Sequence, residues 1–220
     1  MSVGCSGALT VDSVTNTILP QVNEFYWKQA GIHWNVSDCR ECPIQHVLPN
    51  QEESQALAEH MHSLTRQSNG RQRRRMVNTI VSGFQDLLPS HSVSSQSVKT
   101  SNLPVNVWLV DVVGQNLQGF CLPKERTIFL GERSNKGYPT LTRRPLDCLA
   151  KTLAHELGHA LGLKHARGQV FRCDDNIVPY NLSGRPNLME GGADRDGGGG
   201  SFLEDWQILQ ARHVAELTST

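Results

Sequence analysis

Apolar residues recur at helical spacing near the start of the chain. The stretch VTNTILPQVNEFYWKQA, residues 14–30, predicts a long helix in which Pro20 should cause a kink or a break. A turn at Gly31 and a strand in IHWNV should follow this helix. The residues before the helix, MSVGCSGALT, make a poor strand because small residues outnumber β-branched ones.

Three β-type runs and two further helices follow in the second half of the chain. VNVWLVDVV (105–113) and RTIFLGE (126–132) predict strands, and QGFCLP (118–123) is short and bounded by Gly and Pro, as an edge strand would be. A helix is expected over about 145–162, and FLEDWQILQARHVAEL (202–217) predicts an amphipathic final helix. The pattern therefore indicates an α+β fold.

The region from 38 to 102 is the least informative part of the sequence. Residues 51–67 and 74–88 both have helical patterns, and 90–102 form a polar loop. The basic run RQRRR (71–75) could be a nucleic-acid patch or a processing site. A basic helix start or a solvated turn explains it better, because the rest of the chain is not basic.

Length and charge limit the possible classes of protein. A chain of 220 residues fits one domain, and a formal net charge of zero gives no reason to expect a nucleic-acid or membrane partner. No apolar run is long enough to span a bilayer, and the first thirty residues lack a signal-peptide pattern.

The stretch LAHELGHALGLKH contains histidines at 155, 159 and 165. In a helix, His155 and His159 lie one turn apart on one face, where two imidazoles can share one metal ion. His165 can reach the same ion only if the helix stops and the chain turns back, which Gly162 permits by entering a left-handed conformation. Glu156 is placed to act as a base on a metal-bound water. The spacing predicts three imidazole ligands and a base.

This signature, H-E-x-x-H-x-x-G-x-x-H, resembles that of the metzincin zinc metallopeptidases, and its wording is closest to the matrixin branch. RPNLME supplies Met189 in the setting of that family's methionine turn, where the methionine forms an apolar floor beneath the metal. The resemblance implies a metzincin-like fold: a mixed twisted sheet with an edge strand, an active-site helix, and a small, mostly irregular or helical C-terminal part. One catalytic domain, 1–220, would divide into an upper subdomain (1–162) and a lower one (163–220).

The resemblance also implies an activity. The chain would be a zinc-dependent endopeptidase with one catalytic Zn²⁺, hydrolysing peptide bonds through a zinc-activated water with Glu156 as general base. A protein or peptide substrate would lie extended in a cleft against the edge strand at Gly119, Phe120 and Cys121. We expect a monomer. Asp194 and Asp196 form one D-x-D pair, which is weak evidence for an additional calcium ion.

Two alternatives stay open from the sequence. A gluzincin-like peptidase would use a downstream carboxylate, Glu190 or Glu204, as third ligand in place of His165. A zinc-bearing binding module without activity would have no need of Glu156 as a base. Both conflict with the complete set of residues in the signature.

The chain has six cysteines, which allow up to three disulfides: Cys5, Cys39, Cys42, Cys121, Cys148 and Cys173. Relatives in the resembled family are mostly secreted, so the resemblance favours structural disulfides and an extracellular location, with free thiols and a cytoplasmic location as the alternative. Cys148 lies about two helical turns before His155 and should pack beneath the site.

Overall fold

The computed structural model describes residues 1–5, 9–41, 105–110, 118–123, 126–134, 142–166, 171–173, 176–178, 185–190 and 200–219. The helices expected at 51–67 and 74–88, the basic run 71–75 and the D-x-D pair at 194–196 lie outside these residues.

A five-stranded mixed sheet forms one layer of the fold. Its strands are β1 (Ser2–Cys5), β2 (Asp38–Glu41), β3 (Asn106–Val110), β4 (Gly119–Leu122) and β5 (Thr127–Gly131). Their spatial order is β2-β1-β3-β5-β4, and the first three pairings are parallel. Among the described strands, β4 lies at the edge of the sheet and runs antiparallel to β5. The predicted α+β class and mixed sheet are thus confirmed, and QGFCLP provides the edge strand.

The first strand corrects an expectation. The residues before the first helix make a poor strand by composition, yet β1 lies inside the sheet, paired in parallel with β2 on one side and β3 on the other. Backbone hydrogen bonds on both sides, together with burial of Val3, outweigh the low strand propensity of small residues.

The first long helix continues through Pro20. A helical turn at Val11–Ser13 leads into a π-helical turn at Val14–Ile18, and α1 follows at Leu19–Ala30. Pro20 has no N–H to donate. The π-helical turn, which is wider than an α-helical one, ends just before Pro20, where the Leu19 N–H donates to the Val14 carbonyl five residues back. The expected break is therefore wrong: the chain stays helical through Pro20, with a π-helical turn just before it.

The buried face of this helical segment has a spacing of four residues and consists of Val14, Ile18, Val22, Tyr26 and Ala30. In a regular α-helix, residues four apart are displaced by about 40° around the axis at each step. The wider π-helical turn offsets part of this displacement. Gly31 ends α1 with a φ of +67°, and its N–H donates to the Trp27 carbonyl at 3.0 Å. The predicted turn at Gly31 is confirmed.

The strand expected in IHWNV is wrong. Residues 31–36 are irregular, and β2 begins only at Asp38. The reason is that Asn23 in α1 takes both backbone groups of Trp34: its Nδ2 donates to the Trp34 carbonyl at 3.0 Å, and its Oδ1 accepts from the Trp34 N–H at 2.7 Å. A ladder of strand hydrogen bonds cannot form with those groups occupied.

Two more helices complete the layers. α2, Leu146–Ala160, packs against α1, β4 and β5, and α3, Asp205–Ser219, packs against α1. α2 lies within the predicted range 145–162, and α3 begins three residues after the predicted start at residue 202. Two short antiparallel pairs join β6 (Arg133–Ser134) to β7 (Thr142–Arg143), and β8 (Phe171–Cys173) to β9 (Asn176–Val178).

Among the described helices, α2 has the most buried residues and lies in the core. Its buried residues are Leu149, Ala150, Thr152, Leu153, Ala154, His155, Glu156, Leu157, Gly158 and Ala160. Cys148, near its start, is half-buried and is a free thiol, so an arrangement in which all six cysteines form disulfides is wrong. Within the described residues, no helix is long and apolar enough to cross a membrane.

Arg144 joins the edge strand to the start of α2. Its buried guanidinium donates to the carbonyls of Gln118 (3.1 Å), Gly131 (3.0 Å) and Cys148 (3.2 Å) and to the hydroxyl of Thr152. These acceptors belong to the residue before β4, to the end of β5 and to the first two turns of α2. One side chain therefore fixes the position of the edge strand relative to the central helix.

We predict that Arg144→Leu lowers the free energy of unfolding by at least about 3 kcal/mol, because two buried and two part-buried acceptors lose their donor together. Urea denaturation measures the loss. The matched variant is Arg143→Leu, which alters the exposed neighbour of Arg144. It should change the free energy of unfolding by only about 0.5 kcal/mol. Equal stability of the two variants would contradict the structural role given to Arg144.

Candidate metal centre

The end of α2 brings a third histidine back to the helix. Leu163 N–H donates to the Gly158 carbonyl at 2.9 Å, and Gly162 N–H donates to the His159 carbonyl at 3.0 Å. Gly162 has a φ of +78°. Together these features form a Schellman motif, which ends a helix and reverses the chain. The reversal returns His165 towards the helical residues.

Three imidazoles meet at this point. The Nε2 atoms lie 3.1 Å apart for His155 and His159, 3.0 Å apart for His159 and His165, and 3.2 Å apart for His155 and His165. His155 is buried, His159 half-buried and His165 exposed. In the part of the chain that the structure describes, the ligand atoms of these three histidines lie close enough together to share one metal ion. Neither Glu190 nor Glu204 belongs to this cluster.

Backbone carbonyls set the tautomers of the two helical imidazoles. His155 Nδ1 lies 2.7 Å from the Leu188 carbonyl oxygen, and His159 Nδ1 lies 2.7 Å from the Leu163 carbonyl oxygen. Since a carbonyl oxygen only accepts, both Nδ1 atoms must carry the proton. A neutral imidazole protonated at Nδ1 has an unprotonated Nε2 with a free lone pair. In its neutral form, each ring therefore points an Nε2 lone pair into the space between the rings.

This arrangement suits a cation. When both rings are neutral, their Nε2 atoms at 3.1 Å cannot hydrogen-bond to each other, and the two lone pairs repel. Nitrogens bound to a tetrahedral zinc ion at ~2.0–2.1 Å lie roughly 3.3 Å apart, close to the separations found here. The donor set and its spacing thus fit a zinc ion held by three neutral histidines.

Glu156 and the edge strand border the same region. Glu156 directly follows His155 in α2 and is buried. Burial, then the charges of Glu156 and Cys121, raise the pKa of Tyr26 well above its usual value. The Tyr26 hydroxyl donates to the Ala154 carbonyl at 2.6 Å. The neutral phenol therefore lies within electrostatic reach of both the candidate base and a residue of β4.

β4 approaches α2 closely at Gly119. A Cβ added at Gly119 would lie 3.1 Å from Thr152 Cγ2 and 3.1 Å from Leu130 Cδ1, which leaves little room for a side chain. Phe120 lies opposite Phe129 of β5, and the two rings stack with their centres 4.9 Å apart. The strand predicted to receive substrate is thus packed against the helix that carries His155 and His159.

Met189 is fully buried beside the helical part of the site. A Cβ added at Gly158 would clash with Met189 Sδ and lie 3.0 Å from its Cε. The Met189 carbonyl accepts from Ala166 N–H at 2.8 Å, so the segment after His165 pairs with the Met189 turn. Gly158, between the two helical histidines in sequence, is the residue that allows this contact.

Sequence reasoning missed the groups that orient the rings. The carbonyls of Leu163 and Leu188 belong to the backbone, and no residue type signals them. Tyr26 lies on the buried face of its helix, where its residue type signals only core packing. Asn187, two residues before Met189, carried only the general signal that asparagine gives for a turn.

Comparisons with known proteins assign no family. No protein-family model and no curated protein matches this chain. A zinc-dependent peptidase from Methanocorpusculum labreanum is 12% identical with a TM-score of 0.46, covering 96% of this chain and 100% of that one. The archaemetzincin AmzA from Methanopyrus kandleri is 14% identical with a TM-score of 0.46, covering 98% and 96%. Both likenesses are too weak to carry an argument.

We predict that Gly158→Ala lowers both stability and metal affinity. The added methyl group must displace Met189 from a fully packed position, at a cost of about 1–3 kcal/mol. That displacement should also shift the Leu188 carbonyl from His155. Thermal unfolding and competition for zinc with a chromophoric chelator would measure the two effects.

The matched control is Gly31→Ala, since an added Cβ there meets open space and costs only the strain of a left-handed conformation, about 1–2 kcal/mol. It should leave zinc affinity unchanged. Wild-type zinc affinity in Gly158→Ala would show that the Met189 contact does not support the site.

Proposed function

We propose that this protein is a zinc-dependent endopeptidase of the metzincin type. The observation that carries the proposal is the convergence of three Nε2 atoms at 3.0–3.2 Å, two of them with a tautomer fixed by a backbone carbonyl. His155, His159 and His165 would hold the ion. Three neutral protein ligands leave a tetrahedral ion one further position, as catalytic zinc sites do.

Each residue then has a role in peptide hydrolysis. When bound, zinc supplies Lewis-acid chemistry, which makes water acidic near neutral pH and polarises a peptide carbonyl. Glu156 would accept the proton of the attacking water and deliver a proton to the leaving amine. Burial of Glu156 in α2 limits the rotamers that its side chain can adopt.

The substrate would bind along β4. In the described residues, β4 pairs with β5 on one side only, so its other edge presents backbone donors and acceptors. An extended peptide can add to such an edge as a further strand. Backbone pairing at Gly119, Phe120 and Cys121 would give affinity for proteins with varied side chains, which suits an endopeptidase.

The related expectations stay predictions. They are the division into subdomains 1–162 and 163–220, a monomeric state, an extracellular location, and a calcium ion at Asp194 and Asp196. A Met-turn role for Met189, as an apolar floor beneath the ion, also belongs to this proposal and is consistent with the burial of Met189.

Glu156→Gln should keep zinc and lose hydrolysis. The amide preserves the size of the side chain but cannot accept the proton, so kcat/KM should fall by at least about 100-fold. Cleavage of denatured casein, with zinc content measured on the same sample, tests this prediction. The chelator 1,10-phenanthroline should abolish cleavage by the wild-type chain, and a Glu156→Gln variant that cleaves at the wild-type rate would exclude the role of Glu156.

His165→Ala separates the three-histidine site from the gluzincin-like alternative. Losing one of three protein ligands should weaken zinc binding by several orders of magnitude, whereas Glu190→Gln and Glu204→Gln should leave it within about threefold. Chelator competition on the three purified variants makes the comparison. The opposite order, with a glutamate variant losing zinc and His165→Ala retaining it, would establish a carboxylate as the third ligand.

A further inference from the structure

A pair of buried amides lies behind the Leu188–Met189 turn. Asn187 and Gln207 are both fully buried, although each carries a polar side chain. Asn187 Nδ2 donates to Gln207 Oε1 at 2.9 Å, and Gln207 Nε2 donates to Asn187 Oδ1 at 3.3 Å. The two amides therefore satisfy one another and link the turn to α3.

Each amide oxygen also accepts from a backbone N–H. Gln207 Oε1 accepts from Glu204 N–H at 2.8 Å, which anchors the start of α3. Asn187 Oδ1 accepts from Met189 N–H at 2.8 Å. Every hydrogen bond here involves a buried group, so removing one partner would leave another polar atom unsatisfied.

The bond from Met189 N–H has a direct consequence for the metal centre. Met189 N–H and the Leu188 carbonyl belong to the same planar peptide unit and point in opposite directions. On one side this unit donates to Asn187 Oδ1, and on the other its carbonyl accepts from His155 Nδ1 at 2.7 Å. Asn187 thus fixes the rotation of the peptide plane, and donation to Asn187 makes the Leu188 carbonyl a stronger acceptor.

We propose that the Asn187–Gln207 amide pair positions His155 for metal binding through the Leu188–Met189 peptide unit. The inference rests on the proposed function, because it assigns these amides to the site that would hold zinc. Asn187 and Gln207 are positioning residues and do not themselves touch the ion. Groups that orient a ligating histidine typically change metal affinity by about 10–100-fold when removed.

The experiment compares Asn187→Ala with two other variants. Asn187→Ala removes the acceptor of Met189 N–H, and Asn187→Asp keeps that acceptor while losing the donor to Gln207 Oε1. The control is Gln29→Ala. Gln29 holds the segment just before α3, because its side chain accepts from Leu203 N–H and donates to the Ser201 carbonyl, both at 2.7 Å. Zinc affinity by chelator competition and unfolding temperature in EDTA are measured for each.

We expect zinc affinity to fall about 10–100-fold in Asn187→Ala and to stay within about threefold of wild type in Asn187→Asp and Gln29→Ala. All three should unfold at lower temperature than wild type. The two Asn187 variants lose buried hydrogen bonds, and Gln29→Ala loses part-buried and exposed ones. Rescue of affinity, but not of stability, by aspartate is the result that a purely structural role would not give.

An affinity of Asn187→Ala equal to that of Gln29→Ala would overturn the inference while leaving the proposed function intact. If Asn187→Ala does not fold, Gln207→Leu replaces it, because it keeps Asn187 but removes both bonds that hold it; an affinity equal to the control would again overturn the inference. A wild-type chain that binds no zinc would overturn the proposed function and this inference together.

Discussion

The return of His165 to the two helical imidazoles depends on where α2 ends. A helix that continued would carry His165 along its axis and away from His159, and no side-chain rotation could recover that distance. The left-handed Gly162 and the bonds to the Gly158 and His159 carbonyls stop the helix within two residues of its last turn. The same turn presents the Leu163 carbonyl to His159. One reversal of the chain therefore places the third ring and orients the second.

Bringing three rings together does not by itself make a metal site, because each ring has two nitrogens. Donation from Nδ1 to a carbonyl leaves Nε2 unprotonated, and this happens at His155 and His159 through carbonyls of different segments. The carbonyl for His159 comes from the reversal after α2. The carbonyl for His155 comes from a turn held by the buried amides of Asn187 and Gln207. α3 is thus linked through this turn to the orientation of a ring carried by α2.

The sequence predicted those features that follow from helical geometry and from glycine. The spacing of His155 and His159 and the stop at Gly162 are local, so the residues alone determine them. β1 was missed because parallel neighbours distant in sequence stabilise it, and the strand in IHWNV was wrong because Asn23 binds the backbone of Trp34. The carbonyls that orient the rings were unpredictable because every residue has one, and only tertiary structure selects Leu163 and Leu188.

Metal binding and folding should be coupled in this protein. In neutral rings, the Nε2 lone pairs 3.1 Å apart repel each other, and a cation bound between them would remove that repulsion. The free energy of binding such a cation would add to the free energy of unfolding. The rings come from α2 and from the segment after its reversal, which pairs with the Met189 turn through Ala166. An ion at this point would therefore cross-link the central helix to the chain beyond it, and would stabilise the segments that orient its own ligands.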